Sequence, residues 1–534
     1  MPTYGRPGIY VTESLIGPSP APNNVNPSNA GFIGEHWKGP IGKAVACSNW
    51  AQFVQYFGGF LSNYPTASGV APTLANGWLP YAVYEFFNNG GQTAWINRIV
   101  NSSTPGASAS TILLDQAATP QNTLTVSAGL FGIVGSPGTW GNSLYVDVTA
   151  NPAGAGQFNL IVYAGGYGAS YVVEQWLDLT MIPSSPRYAL SVVNAVGTGS
   201  LYIALTNDNS ATASPNNAPA AVTGKQLTGG VDPADPAVTD REAAVTSPCP
   251  MDYVPNVLNF AMPGETTTAV VSSAITYAST RPYTFFVMDC PQGQSPAQVV
   301  TYAQSIGYGT SSSISQASLY YPWVVASNPG NNNAISTITM PPSGFVLGQI
   351  ATMDTNIGPW YPPAGTNTSL VGAVGTERTL SPTDLATLNL ANVDAIRQRP
   401  DGNTIIWGAR TMLTGYATQY INVRRMLNYV EASLASLLTG FVFAPNDQVL
   451  WAQIVATCTQ FLSGLAHRNA FAGSTAADQF YVTCDDTNNT PTSIQSGVVN
   501  VTVGLALLYP AEFIALNISQ FQNSGTSTVS STTP

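Results

Sequence analysis

The stretch RPYTFFVMDCPQGQSPAQVVTYAQSIGYGTSSSISQASLYYPWVVA, Arg281 to Ala326, decides the fold. Tyr283 to Asp289 reads as a buried strand ending in an acid, Pro296 to Gly307 as a helix, and Leu319 to Ala326 as another strand. Such alternation of strand and helix argues an α/β layer. Downstream, Tyr420, Val423, Leu427, Val430, Leu434, Leu437 and Phe441 recur at steps of three and four. That is one apolar face of a helix ending at Gly440, with Arg424, Arg425, Asn428 and Glu431 on other faces. A second helix starts at Asn446-Asp447, both good N-cap residues, and carries Leu450, Ile454, Phe461 and Leu465 on one side. Gln479 to Thr483 and Val498 to Leu508 read as strands, as does the last alternating run of Ile514, Leu516 and Ile518. The tail SGTSTVSSTTP is low in complexity.

Upstream, residues 102–225 change to short alternating runs, Leu144 to Thr149, Phe158 to Tyr163 and Leu201 to Leu205, separated by turn clusters. This is a mainly β module with polar, Pro-rich flanks of the kind found at a domain insertion. Before it, Leu79 to Phe87 has helical spacing and stops at Asn88-Asn89-Gly90-Gly91. At the start, Ile9-Tyr10-Val11 is β-prone and is followed by a Pro- and Asn-rich tether reaching Asn29.

Composition narrows the function. Only 8% of the 534 residues are charged, where about 25% is usual, while aromatics reach 10%. Such a chain folds rather than staying disordered. So few charges fit either a surface hidden in self-assembly or a monomer coated with Ser, Thr, Asn and Gln. A net charge of −11 argues against a nucleic-acid partner, and residues 101–300 hold 12 acidic against 4 basic side chains. The first residues have neither the basic nor the apolar region of a secretory signal, so a cytoplasmic origin is expected. No run of 18 apolar residues predicts a membrane span, because Asn500, Pro510, Glu512 and Asn517 interrupt the best candidate. Five scattered cysteines without CxxC spacing predict reduced, buried thiols rather than disulfides or zinc.

Chemistry is scarce. Only His36 and His467 are available as a general base, and GxSxG, GxxxxGK[ST] and HExxH are all missing. Asp232, Asp235, Asp240 and Glu242 lack EF-hand spacing and read as a solvated linker. Neither catalytic, cofactor-binding nor metal-binding residues are predicted. Arg397, Arg399, Arg410, Arg424 and Arg425 form a basic cluster that suits either an acidic partner or intradomain pairing with Asp394, Asp401 and Glu431. The two short end strands suit pairing either with another chain or within their own.

Several longer words stand in one order: YGRPGIYVTE (Tyr4–Glu13), GFIGEHWKGPIGKAVACSNWAQFVQYFGG (Gly31–Gly59), YAVYEFFNNGGQTAWINRIV (Tyr81–Val100), YYPWVVASNP, MPPSGFVLGQIATMD, IIWGARTM, YINVRRMLNYVEASL, FVFAPNDQVLW and LLYPAEFIALNISQ. Together they resemble the contractile phage tail sheath family over most of the chain apart from its middle and last residues. The resemblance implies an α/β multidomain fold with a subtilisin-like α/β domain, a C-terminal α+β sheath core domain and an inserted mainly β domain. It divides the chain into an arm and linker (1–30), the amino-terminal part of the core (31–101), an outer β domain (102–230), the subtilisin-like domain (231–400), an inner domain with the terminal strand (401–521) and a tail (522–534). It implies a structural, non-enzymatic subunit that forms stacked hexameric rings around a tail tube protein and meets baseplate and terminator proteins. Contraction drives the tube through a cell envelope during genome delivery. The expected site is the virion tail, assembled in the host cytoplasm, with no cofactor.

Carried over residue by residue, the arm that adds a strand to a neighbour is Ile9, Tyr10, Val11, Thr12 and Glu13, and the terminal strand is Phe513, Ile514, Leu516 and Ile518. The receiving strands fall within Gln479 to Leu508, and the Arg424–Arg425 helix faces the inner radius, against tube or neighbouring sheath. The competing readings are the sheath of an extracellular injection device, a capsid or surface-array protein, and a subtilisin-like hydrolase. A type VI secretion sheath is disfavoured, because that sheath is split between two proteins.

Overall fold

The computed structural model describes residues 25–60, 77–150, 154–255, 257–309, 311–330 and 337–516. The predicted strand at Tyr283 forms as Thr284–Asp289, buried at all six positions. It lies inside an eight-stranded sheet of order Thr404–Ile406, Val393–Gln398, Ala317–Tyr321, Thr284–Asp289, Leu258–Ala261, Ala30–Glu35, Ala94–Ile99 and Val45–Cys47. The six inner strands are parallel, and an antiparallel strand closes each edge. Ala30 pairs with Asn259, so the sheet joins the chain's first described strand to one more than two hundred residues later. Both faces are covered, which is why these strands read as continuous apolar runs.

The single strand read over Leu319 to Ala326 is two. Pro322 has no N–H to donate and ends the parallel strand at Tyr321, and Val324–Ser327 starts a separate three-stranded antiparallel sheet with Thr337–Met340 and Ala373–Thr376. The helix Ser343–Asn356 is buried nearly all round and packs on Leu79–Asn88. Two small residues permit the contact. A Cβ on Gly344 would sit 2.4 Å from the Ala82 carbonyl oxygen, and one on Gly348 2.6 Å from the Asn89 Cβ.

Between Ala94–Ile99 and Leu258–Ala261 the chain forms two antiparallel sheets with an apolar core of their own, including Leu124, Val126, Val146, Phe158 and Leu160. Arg98, fully buried, fastens this module to the large sheet. Its guanidinium donates to the carbonyls of His36 (2.6 Å), Gly39 (2.6 Å) and Pro137 (3.0 Å). Beside it the Lys38 ammonium lies 4.9 Å from the Trp140 ring centre and 5.1 Å from that of Tyr202, and burial pushes its pKa down to about 8.

The carboxyl region is a helical hairpin, Ile421–Leu438 and Gln448–Ala466, against a two-stranded sheet of Phe480–Thr483 and Thr502–Leu505. Asp447 caps the second helix as predicted, accepting from the Leu450 N–H. This helix is long and apolar enough to cross a bilayer, yet Leu450, Ile454, Cys458, Leu462 and Leu465 are packed inside the chain. The strand expected over Val498 to Leu508 is shorter, and Pro491–Gln495 ahead of it is helical. On the first helix Arg425 and Asn428, expected off the apolar face, are nonetheless buried. All five cysteines are free and buried.

Two substitutions separate close packing from helix propensity. Gly344→Ala should lower stability by about 1–3 kcal/mol through overpacking. Gly464→Ala, in open space on the Gln448–Ala466 helix, should raise it by about 0.5–1 kcal/mol. Urea unfolding compares the two.

Glu85 gives a pH signature. Burial pushes its carboxyl up to about 7, so between pH 4.5 and 7 the folded chain holds a proton that the unfolded chain releases. Its contribution therefore falls as the pH rises through that window. Glu85→Gln should match the parent at pH 4 and exceed its urea midpoint at pH 8.

Candidate assembly interface

In open α/β sheets a ligand crevice forms at the carboxyl ends of the strands where the strand order reverses. Here that point lies between Ala30–Glu35 and Leu258–Ala261. It is filled: Arg241 pairs with Glu265 at 2.9 Å and donates to the Pro236 carbonyl, and the Glu265 carboxylate accepts the Thr267 N–H. Burial, reinforced by Asp235, pushes the neighbouring Glu35 carboxyl up to about 7. The remaining space is about 20 Å³, room for one water.

The acid that ends the deciding strand is also occupied. Asp289 accepts from the Ser343 N–H (2.8 Å), the Ser343 Oγ (2.7 Å) and the Gly264 N–H (2.9 Å), tying the start of Ser343–Asn356 to the sheet. Neither histidine joins it. His36 is buried edge-on to Phe53, and burial holds it neutral with a pKa near 3. His467 caps the Gln448–Ala466 helix. In the acidic linker, Asp232 accepts from Thr139, 93 residues earlier, and ties the linker to the β module, while Asp240 accepts from the Ala237 N–H and caps a local turn.

The basic cluster divides. Arg425 is a core residue: its guanidinium grips the Asp354 carboxylate through two bonds, one of 3.0 Å and one shorter, and reaches Asn259 Oδ1 at 3.3 Å. Both side chains are shielded from solvent, which removes Arg425 from the surface face expected for it. Arg424 meets Asn428 at 3.1 Å and Glu431 at 3.4 Å, and Arg399 meets Asp401 at 3.3 Å. Arg397 lies 3.7 Å from the Trp407 ring centre. Arg410 donates its backbone N–H to Asp394 and its guanidinium to the Asn389 carbonyl and both Glu512 oxygens.

That last contact organises the chain's exit. After Thr502–Leu505 the backbone is fastened step by step: Ala472 N–H to Ala506 O at 2.8 Å, Asn422 Nδ2 to Leu508 O at 2.9 Å, Tyr509 edge-on to Tyr420, then Glu512 to Arg410. Beyond the ion pair, Phe513, Ile514 and Leu516 are 77%, 88% and 78% exposed. No strand pairs with 513–516 among the described residues, and these positions are not in strand conformation here. Ile518 and the arm residues Ile9, Tyr10, Val11, Thr12 and Glu13 lie outside the described residues. The outer edges of Phe480–Thr483 and Thr502–Leu505 have no strand neighbour among the described residues. The Glu512 clamp is not legible from periodicity. Its signal in the sequence is an isolated acid inside an apolar run, in a chain where only 8% of residues are charged.

The crevice is filled, Asp289 is committed to a helix start, and Phe513, Ile514 and Leu516 stand exposed past an ion pair. Residues 252–412 match the phage tail sheath protein central domain and residues 415–521 the phage tail sheath C-terminal domain, and the chain belongs to the phage tail sheath protein family. Solved structures similar in fold include a chain of the anti-feeding prophage baseplate, with 18% identity, a TM-score of 0.56 and coverage of 97% of this chain and 100% of that one. The sheath complex of the PVC extracellular contractile injection system in its contracted state gives 16%, 0.57, 97% and 99%. A sheath tail protein from Listeria innocua gives 12%, 0.57, 90% and 94%. Among curated proteins no sequence matches.

The two adjacent arginines should differ several-fold in their cost. Arg425→Ala strands a buried carboxylate and should cost about 3–5 kcal/mol, while Arg424→Ala, facing a largely exposed Glu431, should cost under about 1 kcal/mol. An Arg425→Met/Asp354→Leu double variant should recover most of the loss in urea unfolding.

Proposed function

We propose that the chain is the subunit of a contractile sheath, forming hexameric rings stacked helically around an inner tube. The observation that carries this reading is the carboxyl end, which leaves the body at Glu512 with Phe513, Ile514 and Leu516 exposed, beside a two-stranded sheet with open edges. An extended segment with that composition gains backbone hydrogen bonds and apolar cover by joining a neighbour's sheet. The arm Ile9 to Glu13 is assigned the same role at the other end. Such ribbons keep neighbours connected while their bodies re-pack.

In this reading the α/β sheet is the subtilisin-like domain retained as scaffold without catalysis, and residues 102–230 form an insertion on the outside of the cylinder. Arg424 faces the tube or a neighbouring subunit. Contraction needs no nucleotide, because small gains in burial per subunit add over the array. Baseplate and terminator proteins bound the stack, and the assembly belongs to a virion tail built in the host cytoplasm. A second reading, the sheath of an extracellular injection system, is favoured by the near-complete mutual coverage with the anti-feeding prophage and PVC chains. Capsid genes beside this one would support the first, toxin genes the second.

Deleting residues 1–13 should leave the urea midpoint of the subunit unchanged and abolish the uniform tubes formed by the parent in negative-stain microscopy. Tubes of normal diameter from the truncated chain would refute the arm's role.

A further inference from the structure

The connection between the two carboxyl helices, residues 439–447, ends in an apolar tip. Phe443 is fully exposed and Val442 61%, and Val449, in the first turn of the following helix, is 65% exposed. The tip is held rather than loose: the N–H groups of Val442, Ala444 and Asp447 bond to the carbonyls of Thr439, Phe441 and Pro445, and Phe441 packs inward against the helices. Phe443 also takes a φ of +70°, a left-handed conformation that a bulky residue adopts only at a cost. A strained backbone thus presents an aromatic ring to solvent.

At the other end of the Ile421–Leu438 helix lies an apolar groove of about 340 Å³. Val393, Ala395 and Ala409 line it, Leu385, Ala386 and Trp407 form its rim, and the chain at Glu512 walls one side. Trp407 is 43% exposed, and Arg397 packs over its ring. The charges at the wall are neutralised by the Arg410–Glu512 pair, and residues 439–446 carry none, so tip and groove match in polarity.

The tip cannot reach its own groove. The Ala409 carbonyl accepts the N–H of Ile421, the first residue of the helix, and the tip follows its last. Eighteen residues at 1.5 Å each set the two about 27 Å apart along a rigid rod. We propose that Phe443 of one copy seats in the Trp407 groove of the next, a head-to-tail contact that rests on the sheath reading and deepens it. A contact joining two different surfaces propagates into a ring or a helix. One aromatic buries only about 150–250 Å², far below the area of a stable dimer, so the contact sets register inside an array held by other links.

Cross-linking tests this directly, because the native thiols are all buried. A Phe443→Cys/Ala386→Cys variant, assembled and treated with a short bis-maleimide, should give a ladder of covalent multimers on a denaturing gel. Each single variant alone should stay monomeric, and their equimolar mixture should stop at dimers. Phe443→Ser should raise the concentration at which tubes appear by about tenfold or more with no change in urea midpoint. Tubes without cross-links would overturn the contact and leave the sheath reading intact. Cross-links from position 386 to peptides of residues 1–24 would give the groove to the arm and likewise overturn it. If the parent forms no tubes, the sheath reading fails; a ladder from the double variant at high protein concentration then still supports the contact, and its absence there overturns it.

Discussion

The bond between Arg425 and Asp354 holds the molecule's parts in their relation to one another. It crosses from the first carboxyl helix to the Ser343–Asn356 helix, while Asn259 of the sheet and Ser28 of the amino-terminal linker touch the same two side chains. Four distant pieces of chain meet at one charge pair. Removing two charges from water is expensive, and an apolar replacement can be as stable. What the ion pair adds is direction: a bidentate guanidinium fixes how the helix lies on the sheet, where a greasy contact permits sliding. The hairpin and the small sheet beyond it inherit that orientation, and so does the exit at Glu512.

The exit follows the same logic at lower cost. Arg410 is bound through its backbone to Asp394 in the large sheet and through its side chain to the end of the Pro382–Leu390 helix and to Glu512. Force applied to the terminal segment would therefore reach the eight-stranded sheet through one arginine and would not peel Thr502–Leu505 away from its partner. Under the proposed sheath reading, in which the ends link neighbours, such a fixed point matters more than the strength of the pair.

The sequence revealed most of what periodicity encodes. Thr284–Asp289, Pro296–Ser305, Ile421–Leu438 and the Asp447 cap all announced themselves, as did the change to short alternating strands after residue 102. It concealed what depends on tertiary partners. Arg425 looks like Arg424 in a linear reading, and only the distant Asp354 decides which is buried. Val498 to Leu508 alternates well enough for a long strand, but only Thr502–Leu505 has a partner strand. The pairing of Asp394, Asp401 and Glu431 with nearby arginines, open as one of two alternatives, is found within the chain, with Asp394 bonding to a backbone N–H rather than a guanidinium.

The shortage of charge then acquires a physical reason. Three of the five ion pairs among the described residues, Arg241–Glu265, Arg410–Glu512 and Arg425–Asp354, fasten separate segments, while Arg399–Asp401 and Arg424–Glu431 are local. A surface with few charges is indifferent to the exact register of whatever lies against it, because sliding a hydroxyl or amide past another exchanges one weak hydrogen bond for another. Sliding one partner of a buried ion pair away from the other would strand a charge and cost several kcal/mol. A subunit that must sit against its neighbours in more than one arrangement is best served by charges that stay satisfied internally in all of them. Under the proposed reading, directional links are then needed at only a few points, the extended ends and the apolar tip, where backbone and shape would define the contact.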